Sequence, residues 1–399
     1  MGIFKKITTL FMKLYNLKIK ASIVNHEKFL GKRRNSLDIY SGSANSLCYT
    51  PFNISFIHID RLMLVNFEED ILYNGIELQV LHHNNKDYPV VILFKIDESQ
   101  DVYYINRETM TLHEEHTKKL LSNPTFNVIE TINYNFQVDS KGLNASLSMT
   151  EKNGNRIEFK IREKFPNREL SSMLAPIGAS TPNPQYFPYI FLDQFGLVIK
   201  QHTDIQVKIN GLLKKISEFP VRVNGKQVYM VRFSQDPVLA YWNNLYIGKL
   251  DPINVIDNSS VSSHDLDHEI INNDNYLEIK KISKRDNVGH ELSIEFSPPI
   301  PQLVALKAGC KVTGRFSSGI DNKMGIVAGG YEITRNENLI TLLIKPSKAW
   351  QPFPGKSWVS FYKWTAKLEI NAGNEVNIES KWENAKVMTS KEFAESTTK

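Results

Sequence analysis

From residue 291 to residue 382 the chain keeps a two-residue period, and that feature constrains its fold more than any other. Leu292, Ile294 and Phe296 alternate with Glu291, Ser293 and Glu295, and Cys310, Val312, Gly314 and Phe316 alternate with Lys311, Thr313 and Arg315. The same rhythm returns in Ile340, Leu342 and Ile344, in Tyr362, Trp364, Ala366, Leu368 and Ile370, and in Val376, Ile378 and Trp382. Side chains alternate across a strand, so each run has one apolar and one polar face. The runs are separated by turn residues such as Asp321-Asn322, Asn336-Glu337-Asn338 and Ala372-Gly373-Asn374. About seven strands without intervening helices predict an antiparallel meander, closed into a barrel or strongly curved so that few edges stay exposed. Gly329-Gly330 inside a strand marks a bulge or bend.

The first half is also read as β. Ile76, Leu78 and Val80 alternate with Glu77 and Gln79, a more continuous apolar strand follows at 88–96, and longer alternating runs cross 126–138, 143–149 and 157–161. Lys141-Gly142 and Asn153-Gly154 supply hairpin turns. One helix is predicted at 109–121, and a long Pro-rich aromatic loop at 166–196, with Tyr186, Phe187, Tyr189, Phe191 and Phe195. The polar stretch 257–275 reads as a linker. The expected fold is therefore mainly β: two antiparallel, barrel- or lipocalin-like lobes at 35–256 and 276–385, an N-terminal arm at 1–34 and a tail at 386–399. A chain of 399 residues has length for two or three cores.

Charge is concentrated in the arm. Residues 1–34 hold nine Lys and Arg against Glu27 alone, a charge of +8, whereas the whole chain carries +5, leaving the remainder at −3. Basicity confined to one arm does not describe a nucleic-acid-binding domain, so no nucleic acid partner is expected. Within the arm Ile3, Phe4, Ile7, Leu10, Phe11, Leu14 and Leu17 fall on one face at helical spacing. A basic amphipathic helix has two readings: it packs on the protein's own core, or residues 3–34 make a peripheral membrane contact. Two cysteines, Cys48 and Cys310, are too few for a disulfide framework, no signal segment is evident, and no run reaches the roughly 20 apolar residues of a spanning helix. A cytoplasmic location is the expectation, membrane-peripheral if the arm takes the second of its two readings.

Motifs for chemistry are sparse. Phosphate-binding glycine signatures and the G-x-S-x-G nucleophile context are absent. His113 and His116 on the predicted helix, and His264 and His268 in the predicted linker, have spacings that could ligate a metal but lack a third ligand, and solvated surface is the simpler reading. His82 and His83 end a strand and point to opposite faces. His202 and Asp204, two apart, share a face as an orienting carboxylate and base would, though surface polarity is the simpler reading. No metal or cofactor is expected.

What remains is aromatic. Trp242, Trp350, Trp358, Trp364 and Trp382, with Tyr331 and Tyr362, place large rings in or beside the β lobes. Such rings fill cores, and inside a β lobe they also line pockets for apolar ligands. Trp242, Tyr331, Trp350, Tyr362, Trp364 and Trp382 are the candidate ligand-binding residues. In strand pattern, residues 50–385 resemble the two-lobed lipocalin-like proteins that include the carotenoid hydratase family. The nearest counterpart of that family's early Trp and Tyr segment is Tyr241-Trp242, in a different context. The resemblance implies an isoprenoid or other lipid ligand. Three functions stay open: binding of a hydrophobic small molecule or lipid; cofactor-free isomerisation, hydration or cyclisation of an isoprenoid or polyketide; and a scaffold with filled cores.

Overall fold

The computed structural model describes residues 34–384 except 42–43, 45, 58, 122–123, 166–169, 176–185, 221, 224, 244, 256–259, 264, 321–325, 350–357 and 372–374. The arm before Arg34, Trp350 and the tail thus lie outside the described residues. The protein is mainly β, with two α-helices among the described residues, Ser36–Ile39 and Arg107–Leu120. It divides into two compact units. The first holds described residues of 34–55, 186–187 and 241–384, and the second those of 56–175 and 188–240. The units are therefore not sequential lobes: the second is inserted into the sequence of the first.

The second unit is a sandwich of two sheets. Its larger sheet runs, in spatial order, Ser171–Ala175, Phe187–Ile199, Val228–Trp242, Arg61–Asn66, Tyr73–His83, Lys86–Lys95, Gln100–Tyr104 and Pro124–Val128, with Ile54–Ile57 also against Val228–Trp242. The last two strands of that order pair in parallel, because helix Arg107–Leu120 carries the chain back to the same end between them. The smaller sheet is Leu212–Leu213, Thr203–Ile209, Arg156–Glu163, Gly142–Thr150 and Ile132–Asp139. Met63, Val65, Ile76, Leu78 and Leu93 of one sheet meet Phe136, Leu147, Phe159, Ile161 and Val207 of the other. Buried Glu163 staples the two layers: its carboxylate accepts from the backbone N–H of Leu143 and of Ile199, both at 2.8 Å. Gly142 has φ +118°, and a Cβ there would lie 2.3 Å from Glu163 Oε2, so this turn requires glycine.

The expected loop 166–196 is largely replaced by strand. Ser171–Ala175 pairs with Phe187–Ile199, whose aromatic and aliphatic side chains, Phe191 and Ile199 among them, are buried. Its dense apolar content is that of an enclosed strand, and the prolines at 166, 176, 182 and 184 lie outside the described residues.

The first unit is built on one ten-stranded antiparallel meander. In spatial order its strands are Tyr246–Leu250, Val376–Asn384, Tyr362–Ile370, Leu339–Ala349, Ile326–Asn336, Lys311–Ile320, Glu291–Ile300, Tyr276–Arg285, Leu266–Asn273 and Ser260–Ser263. The expected linker is thus a β-hairpin of this sheet. Few apolar residues suffice there, since Leu266, His268 and Ile270 alternate inward while Glu269 pairs outside with Lys280. The sheet does not close: Tyr246–Leu250 and Ser260–Ser263 are its two edges. Closure is replaced by covering, because Tyr40, Phe52, Phe187, Trp242 and Ile253, from segments remote in sequence, are buried in the same unit. The strand parity is as expected. Trp364, Ala366 and Leu368 are buried and Lys367 and Glu369 exposed, and the register slips between Ala328 and Gly329, where a Cβ on Gly329 would meet Lys345 O at 2.1 Å.

Candidate functional site

Register sets the site in the first unit. Gly314, Tyr331, Ile344, Trp364 and Trp382 are successive cross-strand partners on the inner face. A Cβ on Gly314 would lie 2.4 Å from the Tyr331 ring, so the missing side chain is what seats that tyrosine. Around the end of this row the rings gather. Trp382 stacks on Phe187 at 4.9 Å between centroids and lies 6.0 Å from Trp242, 6.5 Å from Trp364 and 6.3 Å from Tyr362. Trp242 reaches Phe316 at 5.3 Å, and Trp364 reaches Phe52 at 5.7 Å. Offset and edge contacts of this kind add to the burial energy of the rings.

The two indoles on neighbouring strands differ in one respect. Trp382 donates from Nε1 to the backbone oxygen of Asn243 at 2.8 Å, where Asn243, with φ +50°, is held by exchange of hydrogen bonds with Asn53. Trp364 is fully buried, and its Nε1 has no hydrogen-bond acceptor. At one side of the cluster stand tyrosines: Tyr186 and Tyr241 are 5.0 Å apart, and Tyr362 meets Phe187 edge-on at 5.0 Å. Burial lifts the Tyr186 and Tyr362 phenols above their ordinary range, and for Tyr186 the neighbouring phenols of Tyr241 and Tyr362 add to the effect.

Of the candidate residues, the structure brings Trp242, Tyr362, Trp364 and Trp382 together. Tyr331 belongs to a second group. Its ring touches Phe296 at 5.9 Å, but its hydroxyl bonds to Pro298 O and to the guanidinium of Arg34. Arg34 also donates to Pro299 O at 2.6 Å and Thr313 O at 3.1 Å. Beside it, Glu278 is fully buried and accepts from Tyr40 Oη at 2.8 Å and Asn273 Nδ2 at 2.9 Å, while its Oε2 has no partner. Burial pushes the Tyr331 phenol up to about 12, against the nearby Arg34 charge. This network ties residues 34–40 to the sheet, reinforced by the Tyr40–Tyr276 stack at 3.9 Å and the Ser36–Asp274 hydrogen bond at 2.5 Å. Sequence reasoning did not pick out Phe52, Tyr186, Phe187, Asn243 or Phe316 as site residues. The doublet Tyr241-Trp242 is the local signal that pointed toward them.

The histidine motifs do not assemble into sites. His113 is buried rather than solvated, because helix Arg107–Leu120 lays Thr109, His113 and Thr117 on the sheet at i, i+4, i+8; its Nδ1 lies 3.1 Å from Tyr104 Oη and 2.7 Å from Thr117 Oγ1. His264 lies outside the described residues, and His268 is buried on its strand. His202 sits in a turn at φ +61°, not on the strand, and Asp204 pairs with Lys164 at 2.5 Å. His82 pairs with Asp87 at 2.9 Å. Cys48 is buried, its thiol pushed up to about 12 by burial. Among the described residues, no group of three His, Cys, Asp or Glu side chains could hold a metal ion, and no helix is long and apolar enough to cross a membrane. Compared with models of known families, with characterised proteins and with solved structures, the chain matches none.

Proposed function

We propose that the first unit binds a hydrophobic small molecule or lipid among the rings of Trp242, Trp364, Trp382, Phe187 and Tyr362. The observation that carries this reading is the Trp364 indole, enclosed by apolar rings with its N–H facing no acceptor. Burying such a donor unpaired costs about 1–3 kcal/mol, a cost that an oxygen-bearing ligand beside it removes. The strand-pattern likeness to two-lobed lipocalin-like proteins supports the same ligand class. Tryptophan emission titrated with long-chain isoprenoids and fatty acids tests it. A saturable change in wild type that is weakened in Trp364→Phe supports binding, and an unchanged spectrum across the series counts against it.

The charge of the arm extends the proposal to a membrane surface, where lipophilic ligands reside. Full-length protein is expected to sediment with anionic liposomes at low salt and a chain beginning at Asn35 is not, since the charge and the apolar stripe are then gone. Equal sedimentation by both removes this part. One observation favours the rival reading of a scaffold with a filled core: Trp242, Trp364 and Trp382 are each 1% exposed or less, and Trp382 lies against both of the others.

A further inference from the structure

We infer that one end of the second unit's sandwich is a lipid-binding surface, where Ile71, Leu72, Ile96, Leu212 and Leu213 enter the interface of a zwitterionic bilayer. The inference is independent of the ligand reading above. It adds to the arm's membrane contact a second one, made by another unit and suited to another lipid charge.

The five side chains come from three segments that pairing gathers at one end. Ile71 and Leu72 precede strand Tyr73–His83, Ile96 follows Lys86–Lys95, and Leu212–Leu213 is the two-residue edge of the smaller sheet. Phe67 bridges Ile216 in antiparallel fashion, and the Glu68 N–H donates to Lys215 O at 2.9 Å. Ile71 and Leu212 each lie four residues beyond that bridge, on the same side of it. An ion pair of Lys214 with Asp70 at 2.5 Å fastens these two segments a second time. The Ile96 N–H donates to Leu72 O at 3.1 Å, which brings the third segment alongside. All five side chains are between 45% and 85% exposed, and Ile71 is the most exposed large apolar residue among those described. Single exposed leucines are ordinary, but five on adjoining segments mark an interaction site.

Composition and charge identify the occupant. Energetic anchors of protein–protein interfaces are drawn from Trp, Tyr and Arg, with Leu under-represented, whereas this patch is built of Ile and Leu alone. A second copy would add through the sheet edge, and an edge of two residues is too short to template it. Hydrocarbon asks only for apolar surface. Around the patch the cations are paired: Lys214 with Asp70, Lys215 with Glu68 at 2.9 Å, and Lys95 with Asp101 at 2.7 Å. Exposed Glu69, Asp97 and Glu98 complete the rim and would be repelled by an anionic bilayer. A zwitterionic surface carries no such repulsion.

The test sediments full-length protein with phosphatidylcholine vesicles at high salt, where the electrostatic attraction of the arm is screened. Wild type is expected to bind. Ile71→Ser/Leu72→Ser and Leu212→Ser/Leu213→Ser change exposed positions, should melt as wild type does, and are each expected to lower partitioning by about tenfold or more. Full-length Leu10→Ser/Phe11→Ser, altered in the arm, is expected to keep this binding. Wild type that ignores phosphatidylcholine, or both loop variants binding as wild type does, overturns the inference. Loss in the arm variant alone overturns it too, and leaves the membrane reading of the arm standing. A wild-type dimer in sedimentation velocity that the loop variants dissolve, with vesicle binding unchanged, assigns the patch to a second copy and likewise overturns it.

Discussion

The two units fill their interiors with different side chains. Inside the sandwich of the second unit the core is mostly aliphatic; both oxygens of Glu163 accept backbone N–H groups and Asp101 is held by Lys95 and Lys152, while Gln79 Oε1 and Arg232 Nε have no partner. The first unit encloses three tryptophans and leaves Trp364 Nε1 and Glu278 Oε2 without partners. Each unit thus keeps buried polar atoms without a partner, and what sets the first apart is that its unpaired indole lies inside a cluster of aromatic rings. Under the binding reading proposed above, that indole is the donor a ligand oxygen would pair.

The largest effect that sharpens this contrast is expected at Glu163. Glu163→Ala strands two buried amides in the second unit, at about 1–3 kcal/mol each, and should lower the denaturation midpoint accordingly. A loss below about 1 kcal/mol would mean that the sheets are not stapled there. Next come the paired indoles of the first unit. Trp382→Phe removes a made hydrogen bond and Trp364→Phe an unmade one, so in ligand-free protein the former should cost about 1 kcal/mol more. Equal costs in chemical denaturation would show that the two N–H groups are equivalent.

A smaller pair of effects has opposite signs in pH. Burial alone would raise the Asp101 carboxyl, but hydrogen bonds from Lys152 and Lys95 outweigh it and hold the group below its ordinary range. Its stabilising contribution is present above the ordinary carboxylate value of about 4 and is lost as pH falls through the native value. Glu77 is partly exposed as a residue, yet burial of its carboxyl raises it despite Gln79 and Arg232. Its contribution is present at low pH and lost as pH rises through the raised value. Asp101→Asn should therefore flatten the acid limb of stability against pH, and Glu77→Gln should stabilise most toward neutrality; the same sign for both contradicts these assignments. The smallest effect is expected at the solvent-facing Lys280–Glu269 pair, where Lys280→Ala should change stability by no more than about 1 kcal/mol.

Parity was the legible part of the fold. Lys363, Lys367 and Glu369 forced Trp364, Ala366 and Leu368 inward, and the structure buries all three. The glycines at the bulge were equally readable. Closure was not, because an alternating strand looks the same in an open sheet and in a barrel. The hairpin 260–273 was missed since backbone pairing, not apolar content, orders it. Four of the six candidate residues, Trp242, Tyr362, Trp364 and Trp382, meet, but Phe52, Tyr186 and Phe187 reach them from segments whose proximity no local pattern encodes. Tyr331 had the right parity and the wrong company, because Arg34 and the carbonyl of Pro298 claim its hydroxyl.

Native mass spectrometry of freshly purified full-length protein, with organic extraction of the same sample, tests the central claim most directly. The account expects a bound, extractable apolar molecule carrying an oxygen, or, in stripped protein, a 1:1 adduct with an added molecule of that kind that Trp364→Phe weakens. Protein at its bare sequence mass that takes up no apolar compound offered, with Trp364 emission unmoved, would contradict it and leave the first unit a filled core.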